Sequence, residues 1–292
     1  MEKNNNWIVF DGDLVPGDQP VVPAVSRGLM YGDGLFETFR MYSGQSLLFD
    51  AHLERLSNGM DILGIPEAVD IQQSELRAAA FKLLKKNQLL QTDAIIRLQV
   101  WRDGSRGYHP VNDSESHYSM TASACPETFS RPSLVTVERR RIPSASLPST
   151  VKLTNGINYI LATREADQKG GDDALMQTVD GWVSETTIAN IFWAKGSTIF
   201  SPSINCDLIP GITRKILFKL IKEHNSWDLR TGKFKLDHLL DSDSVWLCNS
   251  VREILPVQEV NGRSFAVESN LLSDLQQAFS NYRKDNLKPL GG

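Results

Sequence analysis

The sequence is poor in cysteine, has no surplus of basic charge and holds no long apolar run, and each shortage removes a class of function. Its three cysteines, Cys125, Cys206 and Cys248, are far apart, odd in number and form no CxxC pair. A disulfide scaffold or zinc knuckle is thereby set aside in favour of reduced thiols. Lys and Arg number 31 against 35 Asp and Glu, a formal charge of -4, which leaves no electrostatic footprint for nucleic acid or an anionic membrane surface. No stretch approaches the ~20 apolar residues that span a bilayer. The start, Met1-Glu2-Lys3-Asn4-Asn5-Asn6, has no apolar core for a signal peptide. Together these absences predict a cytoplasmic protein with no metal, nucleic-acid or membrane partner. Internal repeats and low-complexity segments are also lacking.

The 292 residues are 41% hydrophobic and 23% charged, an ordinary globular composition at a length that suggests two lobes. Residues 7–15 read as a hairpin turning at Asp11-Gly12-Asp13, because Asp-Gly supplies the positive φ of a tight turn. Residues 35–42 alternate and read as a strand ending at Ser43-Gly44. Asp50 is expected to cap a helix through Leu63, and Ser74 to begin a second to about Leu90, with Leu76, Ala79, Ala80, Leu83 and Leu84 on one face. Strands follow at 94–101 and 117–125. Prolines at both ends of 126–132 break helix and strand patterns alike. That segment is read as a linker between a smaller N-terminal domain, 1–125, and a larger C-terminal domain, 133–292. The latter should hold helices at 157–169, 212–224 and 270–284 and strands near 134–137, 174–179, 188–194, 198–200, 244–249 and 254–260. Strict βαβ alternation is missing, so the fold class expected is α+β in two lobes.

Lys152 stands alone in Thr150-Val151-Lys152-Leu153-Thr154-Asn155-Gly156-Ile157-Asn158-Tyr159, ahead of an apolar helical stretch. Then come Asp173-Ala174-Leu175-Met176 and Val183-Ser184-Glu185-Thr186-Thr187-Ile188-Ala189-Asn190-Ile191-Phe192-Trp193. Read singly, Lys152 is a solvated loop lysine, Glu185 an exposed turn acid and Arg55 a helix surface charge. Pro210-Gly211-Ile212-Thr213-Arg214 opens a helix, whose first N–H groups and positive dipole end suit an anion. The order of lone lysine, helix, glutamate-bearing strand and Asn-Ile-Phe-Trp strand resembles the class IV aminotransferases, the fold type IV pyridoxal-phosphate enzymes. The resemblance runs from about residue 8 to 260 and takes in Ser26-Arg27-Gly28-Leu29-Met30-Tyr31-Gly32-Asp33-Gly34-Leu35-Phe36-Glu37-Thr38.

That resemblance implies the cofactor pyridoxal 5'-phosphate and a place for each residue. Lys152 would form the Schiff base and then act as general base, since an amine held near positive charge or away from water is nucleophilic near neutrality. Glu185 would face the pyridine nitrogen and keep it protonated. Arg55, in His52-Leu53-Glu54-Arg55-Leu56, is similar to the family's H-x-x-R-L phosphate arginine, whereas His52 reads as structural. Ile212, Thr213 and, in Cys248-Asn249-Ser250-Val251-Arg252-Glu253-Ile254-Leu255-Pro256-Val257, Ser250 would complete the phosphate cradle.

Substrate contacts are expected from Thr38, Arg97, Arg106 and His109. Asp103-Gly104-Ser105-Arg106-Gly107-Tyr108, Thr38 and Cys248-Asn249-Ser250 resemble aminodeoxychorismate lyases. Ala94-Ile95-Ile96-Arg97 and Glu253-Ile254-Leu255-Pro256-Val257 resemble branched-chain transaminases, with Ile95 in place of their tyrosine. Phe36-Glu37-Thr38 departs from the Y-E-V of D-amino-acid transaminases, and Arg106 with His109 resembles their carboxylate trap loosely. The reading is a class IV aminotransferase acting on an amino substrate and a 2-oxo acid, as a homodimer. The alternatives are a 4-amino-4-deoxychorismate lyase and a noncatalytic protein that has kept the fold.

Overall fold

A computed structural model describes residues 6–66, 73–104, 106–110 and 115–291. Residues 1–5, read above as lacking a signal peptide, and Ser105 of the Asp103-to-Tyr108 motif lie outside the described residues. The chain divides into two compact units, Met1–Glu127 with Val151–Asn155 and Asn286–Gly292, and Thr128–Thr150 with Gly156–Asp285.

The first unit contains β1 (Trp7–Phe10), β2 (Asp13–Pro16), α1 (Arg27–Tyr31), β3 (Gly34–Tyr42), β4 (Gln45–Leu47), α2 (Phe49–Leu63), α3 (Gln73–Lys86), β5 (Ala94–Arg102) and β6 (Ser116–Ala124). The last strand of the chain, β17 (Leu287–Pro289), returns to it, giving a seven-stranded sheet ordered β17-β4-β3-β5-β6-β1-β2. Period-two alternation sends Leu35, Phe39 and Met41 of β3 and Ala94, Ile96, Leu98 and Val100 of β5 into a core shared with α2 and α3. The opposite face carries Phe36, Thr38, Arg97 and Gln99, each half-buried, and Trp101, against which Gly28 of α1 packs closely. Asp50 is not the cap of α2. The cap position is Leu48, held left-handed at φ 53, while Asp50 in the first turn accepts from Arg77 at 2.5 Å.

Lys152, expected in the C-terminal domain, belongs to the first unit. Backbone hydrogen bonding decides this: the Phe36 N–H donates to the Lys152 carbonyl at 2.9 Å, Leu153 bridges Leu35, and Val151 is buried in the first core. A crossing segment paired to a sheet edge satisfies its own polar groups there, whatever its neighbours in sequence do.

The second unit holds β7 (Ser133–Thr136), α4 (Ile157–Gln168), β8 (Asp173–Gln177), β9 (Val183–Thr186), β10 (Asn190–Lys195), β11 (Thr198–Pro202), α5 (Ile212–Glu223), β12 (Asp228–Gly232), α6 (Leu236–Leu240), β13 (Ser244–Asn249), β14 (Glu253–Pro256), β15 (Glu259–Val260), β16 (Arg263–Ser264) and α7 (Asn270–Asn286). Its main path runs β12-β11-β10-β9-β8-β7-β15-β16, with β13 pairing β10 and β14. Ile191, Phe192 and Trp193 of β10 are fully buried, as a strand covered on both faces requires. Polar Asp228–Gly232 gave no strand signal, yet it pairs in parallel with β11.

Candidate active site

In the first unit the exposed face of β3 and β5 gathers three of the expected residues. The pairing of Phe36 with Lys152 brings Lys152 Nζ to 4.4 Å from the centroid of the Phe36 ring. The guanidinium carbon of Arg97 lies 3.7 Å from the same centroid, and Arg97 Nε donates to Gln99 Oε1 at 3.4 Å. Thr38 is the direct cross-strand partner of Arg97. Burial lowers the Arg97 pKa, and among the described residues no carboxylate pairs with it. A partly desolvated guanidinium of this kind attracts an anionic group strongly.

On the other face of β3, Glu37 is 1% exposed and accepts from three donors. These are His52 Nδ1 at 2.7 Å, Arg55 Nε at 2.6 Å and Arg55 Nη2 at 2.7 Å. Burial alone would push the Glu37 carboxyl up, but the hydrogen bond and charge of His52 and then those of Arg55 hold it down at about 2. Burial pushes the His52 pKa below its ordinary value against the pull of Glu37, and Nδ1 is the donor because a carboxylate can only accept. A carboxylate whose folded pKa is depressed from 4.5 contributes stability that is complete above that value and is lost as pH falls toward 2. The contribution is on the order of 3 kcal/mol. Urea unfolding followed at about pH 5.5 and about pH 3 should therefore show a larger acid loss in the wild type than in Glu37→Gln. Equal losses in the two proteins would remove Glu37 as the source.

In the second unit Glu185, on β9, is 4% exposed. Its Oε2 accepts from Asn190 Nδ2 and from the Ile209 N–H, each at 3.1 Å, and its Oε1 accepts from Tyr159 Oη at 3.3 Å and lies 3.3 Å from Arg141 Nε. Asn190 reaches Glu185 because the two are register partners across β9 and β10. Burial first, and then the charge of Glu185, pushes the Tyr159 phenol far above its usual range, so it remains a proton donor. The Arg141 guanidinium carbon is also 4.6 Å from the Tyr159 centroid, and its Nε donates to the Asp207 carbonyl at 2.9 Å.

Beside this cluster α5 begins at Ile212, after Gly211 at the cap position, with no side chain capping its first turn. The backbone N–H groups of Ile212 and Thr213 thus open the helix, both residues being buried. Asn190 Nδ2 also donates to the Ile209 carbonyl at 2.9 Å, and a Cβ built on Gly211 would stand 2.2 Å from Asn190 Oδ1. Gly211→Ala must therefore displace Asn190 from Glu185 or tilt the start of α5. We expect urea stability to fall by about 1–3 kcal/mol. Unchanged stability would show that the close approach carries no energetic weight.

Ser250 sits at a turn built by Asn249, whose Oδ1 accepts from the N–H groups of Val251 at 3.0 Å and Arg252 at 2.7 Å. Cys248 beneath it is buried, which pushes its thiol up to about 12 and disqualifies it as a nucleophile. Arg106 and His109 lie on an exposed loop with Tyr108, which is 91% exposed. Among the described residues their side chains make no hydrogen bond. The loop is held at Gly107, its N–H donating to Tyr31 Oη at 3.0 Å and its carbonyl accepting from Arg27 at 2.7 Å, and the Tyr108 ring lies 5.5 Å from that of Tyr31.

The sequence did not single out Glu37, Arg141, Tyr159 or Asn190. Asn190 and Tyr159 belong to the quoted motifs, whereas Arg141 offers no local signal within Arg139-Arg140-Arg141. Among the described residues no helix is long and apolar enough to cross a membrane.

The amino-transferase class IV family model matches residues 34–260. An aminodeoxychorismate lyase of Bacillus subtilis is 30% identical over 98% of this chain and 97% of its own length. A branched-chain-amino-acid aminotransferase of Salmonella typhimurium is 28% identical over 89% of this chain and 86% of its own. The crystal structure of the branched-chain amino acid aminotransferase of Escherichia coli superposes with a TM-score of 0.90, at 23% identity, over 98% of this chain and 100% of that one. With mixed helices and sheets in that same arrangement, this chain belongs to the class IV aminotransferase family.

Proposed function

We propose that the protein is a pyridoxal-phosphate-dependent enzyme that transfers an amino group from an amino acid to a 2-oxo acid. The observation that carries the reading is the shared Phe36 ring, against which a primary amine, Lys152, and an anion-seeking guanidinium, Arg97, both rest.

The residues present fit the cofactor. Glu185 is a buried carboxylate held by hydrogen bonds from Asn190, Ile209 and Tyr159 and by the charge of Arg141, suited to a ring nitrogen. The uncapped start of α5 at Ile212 and Thr213, whose cap position would clash if it bore a Cβ, suits a phosphate. Arg55 and Ser250 are assigned to that phosphate by the family resemblance. When bound, the cofactor supplies an electron sink for the carbon that bears the substrate amine. Lys152 would hold the cofactor's aldehyde through its amine and would serve as the base that takes and returns the proton of that carbon. Glu185 would keep a proton on the ring nitrogen. Arg97 with Thr38 binds the substrate's carboxylate, with Arg106 and His109 entering from the loop.

A homodimer is part of this reading. It is supported by exposed apolar side chains on and before α1, Val25 and Leu29 among them, and by Tyr108 on the loop tied to α1.

A second reading, the aminodeoxychorismate lyase, is favoured by Thr38 beside Arg97 and by the B. subtilis relative. The deciding experiment incubates the holoenzyme with L- and D-amino acids plus a 2-oxo acid, and separately with aminodeoxychorismate. Amino transfer supports the first reading. Release of pyruvate and 4-aminobenzoate without amino transfer overturns it in favour of the second, and failure of the protein to take up the cofactor overturns both.

A further inference from the structure

The buried ion pair behind β3 has no evident reason to exist on packing grounds. Its position on the strand belongs to the core face, where the neighbours are Leu35, Phe39 and Met41. A carboxylate among hydrocarbon costs several kcal/mol unless every acceptor site is used, and a leucine there would pack as well. What the carboxylate does instead is fix a guanidinium. Glu37 receives two parallel bonds from Arg55, through Nε and Nη2, and this fork geometry sets the plane of the guanidinium as well as its distance. His52 takes part in holding Glu37, bonding Oε2 at 2.7 Å while its ring stands edge-on to Phe39 with centroids 5.2 Å apart. A packed aromatic thus orients an imidazole, which orients a carboxylate, which orients Arg55.

We propose that Glu37 and His52 are positioning residues that hold the Arg55 guanidinium ready for the cofactor's phosphate. This rests on the reading above that Arg55 meets the phosphate. An arginine side chain loses rotamer freedom when it is immobilised. Here folding has already met that cost, so phosphate binding need not. The arrangement has an opposing effect, because Glu37 offsets the charge of Arg55 and weakens its field. The depressed carboxyl pKa keeps that offset in place at neutral pH. Orientation and charge therefore make contrary forecasts for the same substitution.

The test titrates the full chain, stripped of cofactor, with pyridoxal phosphate and with pyridoxal, which lacks the phosphate, following tryptophan fluorescence. Under the proposal Glu37→Gln weakens pyridoxal phosphate by about tenfold and leaves pyridoxal within about twofold. His52→Leu does the same to a smaller degree, and His52→Asn, whose amide can donate from nearly the same point, restores the phosphate preference. A general loss of structure would weaken both ligands together. If Glu37→Gln tightens pyridoxal phosphate, or changes the two ligands equally, the proposal is overturned. Should Glu37→Gln fail to fold, the His52→Leu and His52→Asn pair decides by the same ratio. Arg55→Ala separates the two levels. If it leaves the ratio unchanged, the phosphate assignment and this inference fall together. If it alters the ratio while the Glu37 and His52 variants do not, only the positioning role is lost.

Discussion

Lys152→Ala is expected to lower turnover by at least about a thousandfold and to end covalent capture of the cofactor by borohydride. The argument begins with the backbone. Lys152 is fixed through its carbonyl to Phe36 and through Leu153 to Leu35, so its Cα cannot drift, and its amine rests 4.4 Å from the Phe36 centroid. Arg97 on the same ring cannot step in, because a guanidinium stays protonated near neutrality and cannot act as a base. Lys152→Arg keeps the cation against Phe36 and should be nearly as inactive, which separates nucleophilicity from charge. Turnover measured in a coupled amino-transfer assay, with intact mass after borohydride, reads both effects. Added primary amines should restore part of the rate to Lys152→Ala and none to Lys152→Arg. A Lys152→Ala protein retaining a tenth of wild-type turnover would sink the assignment.

Glu185→Gln is expected to cost about 10²–10³ in turnover, equivalent to about 2.7–4 kcal/mol of transition-state stabilisation. Glutamine preserves the shape and can still accept from the Ile209 N–H and Asn190, which hold this side chain at 3.1 Å. It removes the charge that a protonated ring nitrogen requires, and it leaves Arg141, 3.3 Å away, without its anion. The loss should therefore fall on turnover more than on substrate affinity. Glu185→Asp, which keeps the charge but retracts it, should recover part of the rate. Turnover within threefold of wild type in Glu185→Gln would show that the ring nitrogen does not depend on this carboxylate.

Lys152 and Glu185 could both be singled out because the motifs that hold them follow one another along the chain in a recognisable order. Their surroundings could not. Nothing near Glu185 points to Arg141 as its cation, because the two are brought together across separate segments. Similarly, Glu37 occupies a core position in a strand that otherwise reads as alternating hydrophobic residues, and its demand for Arg55 and His52 becomes apparent only once α2 packs over β3. Placing the helix cap at Asp50 failed for a related reason: Arg77 of α3 competes for that carboxylate, so the cap position fell to Leu48.

By itself the sequence determined most of the longer elements, the α+β class and the family, since hydrophobic period and local motif chemistry are properties of neighbouring residues. Only the tertiary structure decided that Lys152 joins the first unit and that the chain's end returns there as β17 beside β4. It alone surrounded Glu185 and Glu37 with their donors. The reason is that backbone pairing and burial of charge are settled between segments that are not neighbours in sequence, where buried polar groups find their partners.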